Sequence, residues 1–271
     1  MNNNTTEEIC STKIQTMNTK DQHQKIVLVT GASRGIGKSI ALHAAERGLG
    51  VILTYNTEAQ QADDVATEIN NRGGKAVTLQ LDAANIASFS KFTDTILDLI
   101  KKEWNRQQID YLVNNAGIAQ RTLIKDTTEE IFDQLVNVNF KGLFFLTQQL
   151  MPVIADGGQV INISSGLARF AFPGVAVYGA LKAATEGLTR YFAKEYAERK
   201  IRVNTVAPGA IDTEFGGGKG DESHRQQIAG QTALGRLGEA DDVGAFVASL
   251  LSDDSRFVNA QRIEVSGGIM I

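Results

Sequence analysis

The sequence predicts one doubly wound α/β domain with a mostly parallel, seven-stranded sheet and helices on both faces. Short runs of apolar, β-branched residues recur along the chain, and helix-length segments separate most of them. These runs are apolar throughout rather than alternating, which indicates strands buried on both faces of a parallel sheet. A length of 271 residues suits one large domain better than two.

The first strand is predicted at Lys25 to Thr30, where the run KIVLVT passes into glycines and the helical pattern IGKSIALHAAERG. Further strands are predicted at Val51 to Tyr55, Ala76 to Leu81, Asp110 to Val113, Gln159 to Ile163, Arg202 to Val206 and Arg262 to Val265. Parallel strands joined by right-handed crossovers bring their carboxyl ends to one edge, where ligands bind in such sheets.

Residues 1–23 are polar with scattered apolar residues, so we predict a flexible extension ahead of a domain at residues 24–271. The net charge of -4, without a basic stripe, argues against nucleic-acid binding. No apolar run reaches the roughly 18 residues of a membrane span, and Cys10 has no partner for an internal disulfide. We therefore expect a cytoplasmic protein that acts on a small molecule, with no membrane partner and no metal.

A glycine turn, TGASRGIG, follows the first strand and opens a helix, whose free N–H groups and dipole favour a phosphate. The strand before it and the helix after it predict a dinucleotide site. The segment ASRGIGKS also approaches the phosphate-binding loop of nucleoside triphosphatases, but Ala32 stands where that pattern needs its first glycine. The predicted cofactor contacts in the turn are Gly31, Ser33, Arg34, Gly35, Ile36 and Gly37.

The end of the second strand indicates which dinucleotide binds. An NAD-specific site usually carries an acidic residue there, but this strand ends in Thr54, Tyr55 and Asn56. No carboxylate repels a 2′-phosphate at these positions, and Arg34 is able to hold one with two hydrogen bonds. We therefore predict NADP(H), with Tyr55 and Asn56 among its contacts.

Tyr178 and Lys182 lie four residues apart in a segment with helical periodicity, so their side chains share one helix face. A nearby ammonium is expected to lower the pKa of a phenol from its ordinary value of about 10, which would make Tyr178 a general acid and base. Ser165 ends the strand GGQVINISS, where its hydroxyl could hydrogen-bond a carbonyl oxygen.

Together these residues resemble the short-chain dehydrogenase/reductase family, which has a TGxxxGxG turn, an NNAG segment and a Ser 13 residues before YxxxK. Here the NNAG segment is Asn114 to Gly117, and Ser165 precedes Tyr178 by 13 residues. The resemblance covers about residues 25–271 and implies a Rossmann fold. It also implies that Ser165 orients the carbonyl, Tyr178 transfers the proton, and Lys182 holds the nicotinamide ribose.

The resemblance implies further roles. Asn139, in VNVNFKG, would anchor a proton-relay water, Asp82 would lie near the adenine and Asn115 beside the adenosine ribose. Ile211 and Thr213 would contact the nicotinamide carboxamide. The full set of implied cofactor contacts beyond the glycine turn and second strand is Asp82, Asn115, Ala116, Gly117, Tyr178, Lys182, Pro208, Gly209, Ile211 and Thr213.

The implied activity is hydride transfer between NADP(H) and a ketone or secondary alcohol. The sequence looks most similar to 3-oxoacyl-carrier-protein reductases and bacterial carbonyl reductases, and this resemblance implies a 3-oxoacyl thioester or a small carbonyl compound as the substrate. The segment MPVIADGG lacks basic residues for an acidic carrier protein, although Arg199 and Lys200 remain, and Leu181 replaces the family's usual Ser. An NAD-dependent alcohol dehydrogenase of the same fold and a non-catalytic NADP-binding sensor are the alternatives.

The stretch from about Asp212 to Ala240 is rich in glycine, and we expect a lid over the site there. The resemblance also implies a homo-oligomer, a dimer or tetramer, built through the helices around residues 128–150 and 176–198. Phe140, Phe144 and Phe145 would serve that interface or the core.

Overall fold

The computed structural model describes residues 24–215 and 222–271, so the predicted extension, Cys10 and the glycines of the expected lid at 216–220 lie outside it. One sheet contains seven parallel strands in the order β3-β2-β1-β4-β5-β6-β7, which confirms the predicted fold class. The strands are β1 Ile26–Val29, β2 Gly50–Tyr55, β3 Lys75–Gln80, β4 Ile109–Asn114, β5 Ile154–Ile163, β6 Arg202–Pro208 and β7 Arg262–Val265.

Strand β5 differs most from its prediction, since it begins at Ile154 rather than at Gln159. Its pairing with β4 shifts register between Ile109 and Tyr111, and the intervening turn of β5 carries Gly157 in the left-handed region. The extra residues form an irregular first half of the strand that still pairs with its neighbour.

The described helices are α1 Gly35–Glu46, α2 Ala59–Asn71, α3 Phe89–Trp104, α4 Glu129–Val136, α5 Leu143–Leu150, α6 Ala176–Glu195, α7 Glu222–Gly230 and α8 Ala240–Leu250. A π-helical segment, Asn137–Gly142, joins α4 to α5 where the sequence predicts one regular helix. No helix in the described part of the chain is long and apolar enough to cross a membrane.

Helices cover both faces of the sheet. Side chains of α3, α5 and α6, including Ile96, Leu146 and Phe192, form one core with β strands such as β4. Side chains of α1, α2 and α8, including Ile40 and Val247, form the core on the other face. Phe144 and Phe145 pack against the first core, whereas a role in an interface stays a prediction.

A ladder of buried polar side chains crosses the middle of the sheet. The Asn114 amide donates to Thr147 Oγ1 at 2.9 Å and to Asn162 Oδ1 at 2.8 Å. The Asn162 amide donates to Thr189 Oγ1 at 2.9 Å, and the Thr189 and Thr205 hydroxyls lie 2.7 Å apart. Because buried hydrogen bonds of this kind fix geometry, the ladder ties the carboxyl ends of β4, β5 and β6 to α5 and α6.

Candidate active site

The predicted site residues gather at the carboxyl edge of the sheet, because the strands they follow are all parallel. Tyr55 ends β2, Asn56 comes directly after it, and Asp82 follows β3, all on the side of β1 away from β5. Ser165 follows β5, close to the centre of the edge. The sites predicted for adenosine and for catalysis therefore lie on opposite sides of β1 at this edge.

The turn between β1 and α1 requires glycine for its backbone conformation and for its close contacts. Gly31 and Gly35 have φ angles of 63° and 56°, in the left-handed region that favours glycine. A Cβ on Gly37 would overlap the Gly31 carbonyl and the Asn115 amide, so only glycine fits there. The turn opens α1, whose first N–H groups have no partners within the helix, so its glycine backbone is suited to bind a phosphate group.

The NNAG segment is bonded to the same turn. Asn115 Nδ2 donates to the carbonyls of Thr30 and Gly31, both at 2.9 Å. The Thr30 hydroxyl in turn accepts from the backbone N–H groups of Asn115 and Ala116, both at 2.9 Å. Asn115 thus fixes the turn to the end of β4, and its implied contact with an adenosine ribose stays a prediction.

Tyr178 projects from the first turn of α6 and is only 7% exposed. Burial raises the pKa of its phenol, and a hydrogen bond with the Ser165 side chain lowers it in part. Ser165 Oγ also accepts from the backbone N–H of Leu167 at 3.2 Å, which fixes the hydroxyl at the strand end. The structure therefore brings Ser165 and Tyr178 together as the sequence predicts.

Lys182 lies one helical turn further on, 4% exposed, with Nζ 5.5 Å from the centre of the Tyr178 ring. Nζ donates to the carbonyl of Ile163 at 2.8 Å, and burial lowers the pKa of this amine to about 8. The expected lowering of the Tyr178 pKa is wrong for this structure. The Lys182 amine is bonded to the Ile163 carbonyl, and desolvation of the buried phenol is the largest influence on the Tyr178 pKa.

Asn139 sits in the π-helical segment and is buried. Its amide donates to the carbonyls of Ile118 and Leu135, at 2.9 and 3.0 Å, and its oxygen accepts from the Ile118 N–H at 3.2 Å. A Cβ on Gly117 would lie 2.8 Å from Asn139 Oδ1 and 3.7 Å from Lys182 Nζ. The three residues therefore share one small volume, next to the end of β4.

The segment after β6 folds back over the site. Thr213 Cγ2 lies 3.8 Å from the position that a Cβ on Gly35 would take, so this segment contacts the glycine turn. The Phe215 ring lies 5.8 Å from the Tyr178 ring, between centroids, and Glu214 lies 3.8 Å from Arg34 Nη1. No motif in the sequence marks Glu214 or Phe215, although an aromatic residue directly before three glycines is a visible signal.

An apolar groove of about 870 Å³ lies next to the residues predicted to be catalytic. Its walls include Leu167, which follows Ser165 closely, and Gly179, the neighbour of Tyr178, but Ser165 and Tyr178 do not line it. The other large apolar residues in its walls are Leu123, Ile124, Phe170, Phe172, Pro173 and Val175. The groove offers space for an apolar group attached to a reacting carbonyl.

Comparison with known proteins identifies relatives over nearly the whole chain. A family described as Enoyl-(Acyl carrier protein) reductase matches residues 31–270. The 3-oxoacyl-[acyl-carrier-protein] reductase FabG of Staphylococcus epidermidis is 37% identical over 247 residues, which are 90% of this chain and 98% of the relative.

Solved structures share the fold closely. A short chain dehydrogenase from Burkholderia cenocepacia in complex with NADP has a TM-score of 0.84 and 33% identity, covering 91% of this chain and 98% of the other. The landomycin C-6 ketoreductase LanV, with bound NADP and rabelomycin, has a TM-score of 0.83 and 35% identity, covering 90% of this chain and 95% of the other.

Proposed function

Because the chain belongs to the short-chain dehydrogenase/reductase family of oxidoreductases, we propose that it transfers hydride between NADP(H) and a ketone or secondary alcohol. The observation that carries this proposal is the cluster of Ser165, Tyr178 and Lys182 at the carboxyl edge of the sheet. Family membership disfavours the nucleoside triphosphatase alternative, and a sensor without catalysis would not need this cluster.

Tyr178 is the proton donor in this proposal. Since burial raises its pKa, the phenol stays protonated at neutral pH and is able to give its proton to a substrate oxygen. The Ser165 hydroxyl holds the same oxygen and stabilises the negative charge that develops on it. The Lys182 ammonium, 5.5 Å from the Tyr178 ring, stabilises the phenolate that remains. These roles favour carbonyl reduction near neutral pH.

The residues present fit a dinucleotide. Gly31, Gly37 and Gly117 leave a cradle that a Cβ would fill, and Gly117 borders both Asn139 and Lys182. Arg34 would hold the 2′-phosphate, since Tyr55 and Asn56 place no carboxylate at the end of β2. When bound, the nicotinamide supplies or accepts the hydride, and the chain's task is to place it against the substrate carbon.

We propose a 3-oxoacyl thioester or a small carbonyl compound as the substrate, because the apolar groove beside Leu167 and Gly179 suits an apolar substituent. Docking of an acidic carrier protein at Arg199 gains no support. The Arg199 guanidinium donates to Asp156 at 2.8 Å and to the carbonyls of Met151 and Ile154, so it holds the segment before β5 in place.

We further propose a cytoplasmic homo-oligomer, a dimer or tetramer built through α4, α5 and α6. Two large side chains on these helices support a role for this surface, because Phe132 is 48% exposed and Tyr191 is 67% exposed. Sedimentation equilibrium of wild type and Tyr191→Glu tests this interface. The variant should dissociate, and a molecular mass equal to that of wild type would contradict an interface at Tyr191.

The test of the activity is a panel of carbonyl substrates that includes an acetoacetyl thioester and small ketones, each with NADPH and with NADH. We expect turnover with NADPH, and Tyr178→Phe should lower kcat by orders of magnitude while the Kd for NADPH changes little. Tyr191→Phe is the matched control, because it removes the same hydroxyl from a tyrosine on the same helix, keeps the ring at the proposed interface and should keep full turnover. Normal turnover by Tyr178→Phe would refute the role of the phenol, and preference for NADH would favour the NAD-dependent alternative.

A further inference from the structure

Glu214 forms an ion pair with Arg34, the residue predicted to hold the cofactor phosphate. Its Oε2 atom is 3.8 Å from Arg34 Nη1, and the two side chains are 72% and 59% exposed. Arg34 precedes α1, and its side chain makes no capping bond to that helix. An exposed ion pair at this distance is weak, and solvent or another anion readily exchanges with either partner.

We propose that Glu214 competes with the 2′-phosphate of NADPH for Arg34 and thereby sets how strongly the protein prefers NADPH to NADH. The proposal rests on the function assigned above to Arg34. A phosphate binds guanidinium through two parallel charge-assisted hydrogen bonds, so it displaces a carboxylate that contacts one nitrogen at 3.8 Å. Glu214 then faces the phosphate as a like charge and weakens NADPH binding, whereas NADH meets no such competition.

Displacement of Glu214 from Arg34 should also affect the surroundings of Tyr178, through Phe215, the residue after Glu214. Phe215 is half exposed, and its ring packs 5.8 Å from the Tyr178 ring. The base of this segment is fixed, because Asp212 pairs with Arg225 at 2.7 Å and its N–H donates to the Gly238 carbonyl at 2.8 Å. Because Phe215 follows Glu214 directly, we expect release of Glu214 from Arg34 to change the environment of the Phe215 ring beside Tyr178.

The Kd values for NADPH and NADH, measured by isothermal titration calorimetry, test the competition. Glu214→Gln should bind NADPH about threefold more tightly, the size expected of an exposed ion pair, with NADH binding unchanged. Glu222→Gln is the matched control, since it removes the same charge from a side chain that is 76% exposed and pairs with Arg225 rather than Arg34. Equal gains in both variants, or no gain in Glu214→Gln, would overturn the proposal.

Arg34→Ala separates this inference from the function on which it rests. If Arg34→Ala weakens NADPH far more than NADH while Glu214→Gln changes neither, the phosphate site stands and the competition is refuted. If Arg34→Ala weakens both cofactors equally, the phosphate site itself is wrong. Where both hold, Glu214→Gln should add nothing in the Arg34→Ala background, because the two residues act as one pair.

The link to Tyr178 has a separate readout in the fluorine NMR spectrum of protein labelled with fluorophenylalanine. The Phe215 resonance is identified by its loss in Phe215→Leu. Adenosine 2′-monophosphate, which carries the phosphate without nicotinamide, should shift it toward the position of a solvent-exposed ring. Glu214→Gln should show part of that shift with no ligand. A resonance that stays in place under both conditions would refute the coupling of the Arg34 pair to Phe215.

Discussion

Replacing Lys182 with methionine should change how the stability of the cofactor-free protein depends on pH. The Lys182 amine has its pKa lowered by burial from 10.5 to about 8, and in the unfolded chain it returns to its ordinary value. That difference corresponds to about 3 kcal/mol of unfavourable free energy in the native state when the amine is charged. Lys182→Met removes this cost at every pH.

Whether stability rises or falls with pH depends on how many protons the native and the unfolded states bind. Below pH 8 both states hold the proton, and the native protein bears the full cost. As the pH rises from about 8 to 10.5, the native amine is neutral while the unfolded chain still binds the proton, so the native state gains stability. Lys182→Met also loses the hydrogen bond to the Ile163 carbonyl, and any change in that bond when the amine loses its proton is already part of the native-state pKa.

Urea unfolding followed by circular dichroism, at pH 7 and pH 9.5 and one protein concentration, measures the effect. Between these pH values wild type should gain about 2 kcal/mol relative to Lys182→Met, and other titrating groups cancel in the comparison. A difference that stays constant, or falls as the pH rises, would show that Lys182 titrates near its ordinary value. The assignment of a buried cation beside Tyr178 would then be wrong.

Three further substitutions probe the frame of the site. Gly37→Ala should abolish NADPH binding, measured by calorimetry, because the added methyl group overlaps the Gly31 carbonyl. Gly230→Ala is the control and should bind NADPH normally, since Gly230 has open space around it. Retained binding in Gly37→Ala would contradict the proposed phosphate site at the glycine turn. Thr189→Val should cost about 1–3 kcal/mol in urea unfolding because it deprives the Asn162 amide of its acceptor, and a cost below about 0.5 kcal/mol would show that the ladder matters little. Gly142→Ala would push a methyl group against the Ala83 carbonyl and displace the π-helical segment that holds Asn139, so it should lower the melting temperature and kcat together; a change in neither would contradict this close contact.

The strands were predictable because burial on both faces leaves a local signal, a short run of apolar residues. The start of β5 was not predictable, since Gly157 and Gly158 are typical of a turn. A Cβ on Gly158 would lie 2.5 Å from the Asp110 carbonyl, so this glycine reflects the approach of β4, a contact between distant parts of the chain. Sequence patterns carry no direct record of such an approach.

The candidate site was likewise predictable only in part. Helical spacing predicts that Tyr178 and Lys182 are neighbours, and both the strand order and the glycine turn follow from local patterns. The direction of the Tyr178 pKa depends on how much solvent the folded chain excludes, which spacing does not reveal. The pairing of Arg34 with Glu214 likewise depends on the path of the chain after β6.

The π-helical segment Asn137–Gly142 makes this stretch intolerant of changes in length. A π turn holds one residue more than an α turn, so deleting one residue would restore a regular helix. With one residue fewer, Leu146 and Leu150 would keep their places in the core, but the segment between α4 and α5 would lose the wider turn that carries Asn139. The Asn139 amide would then no longer reach the Ile118 carbonyl. Related chains that retain both contacts should therefore vary here by substitution and not by insertion or deletion.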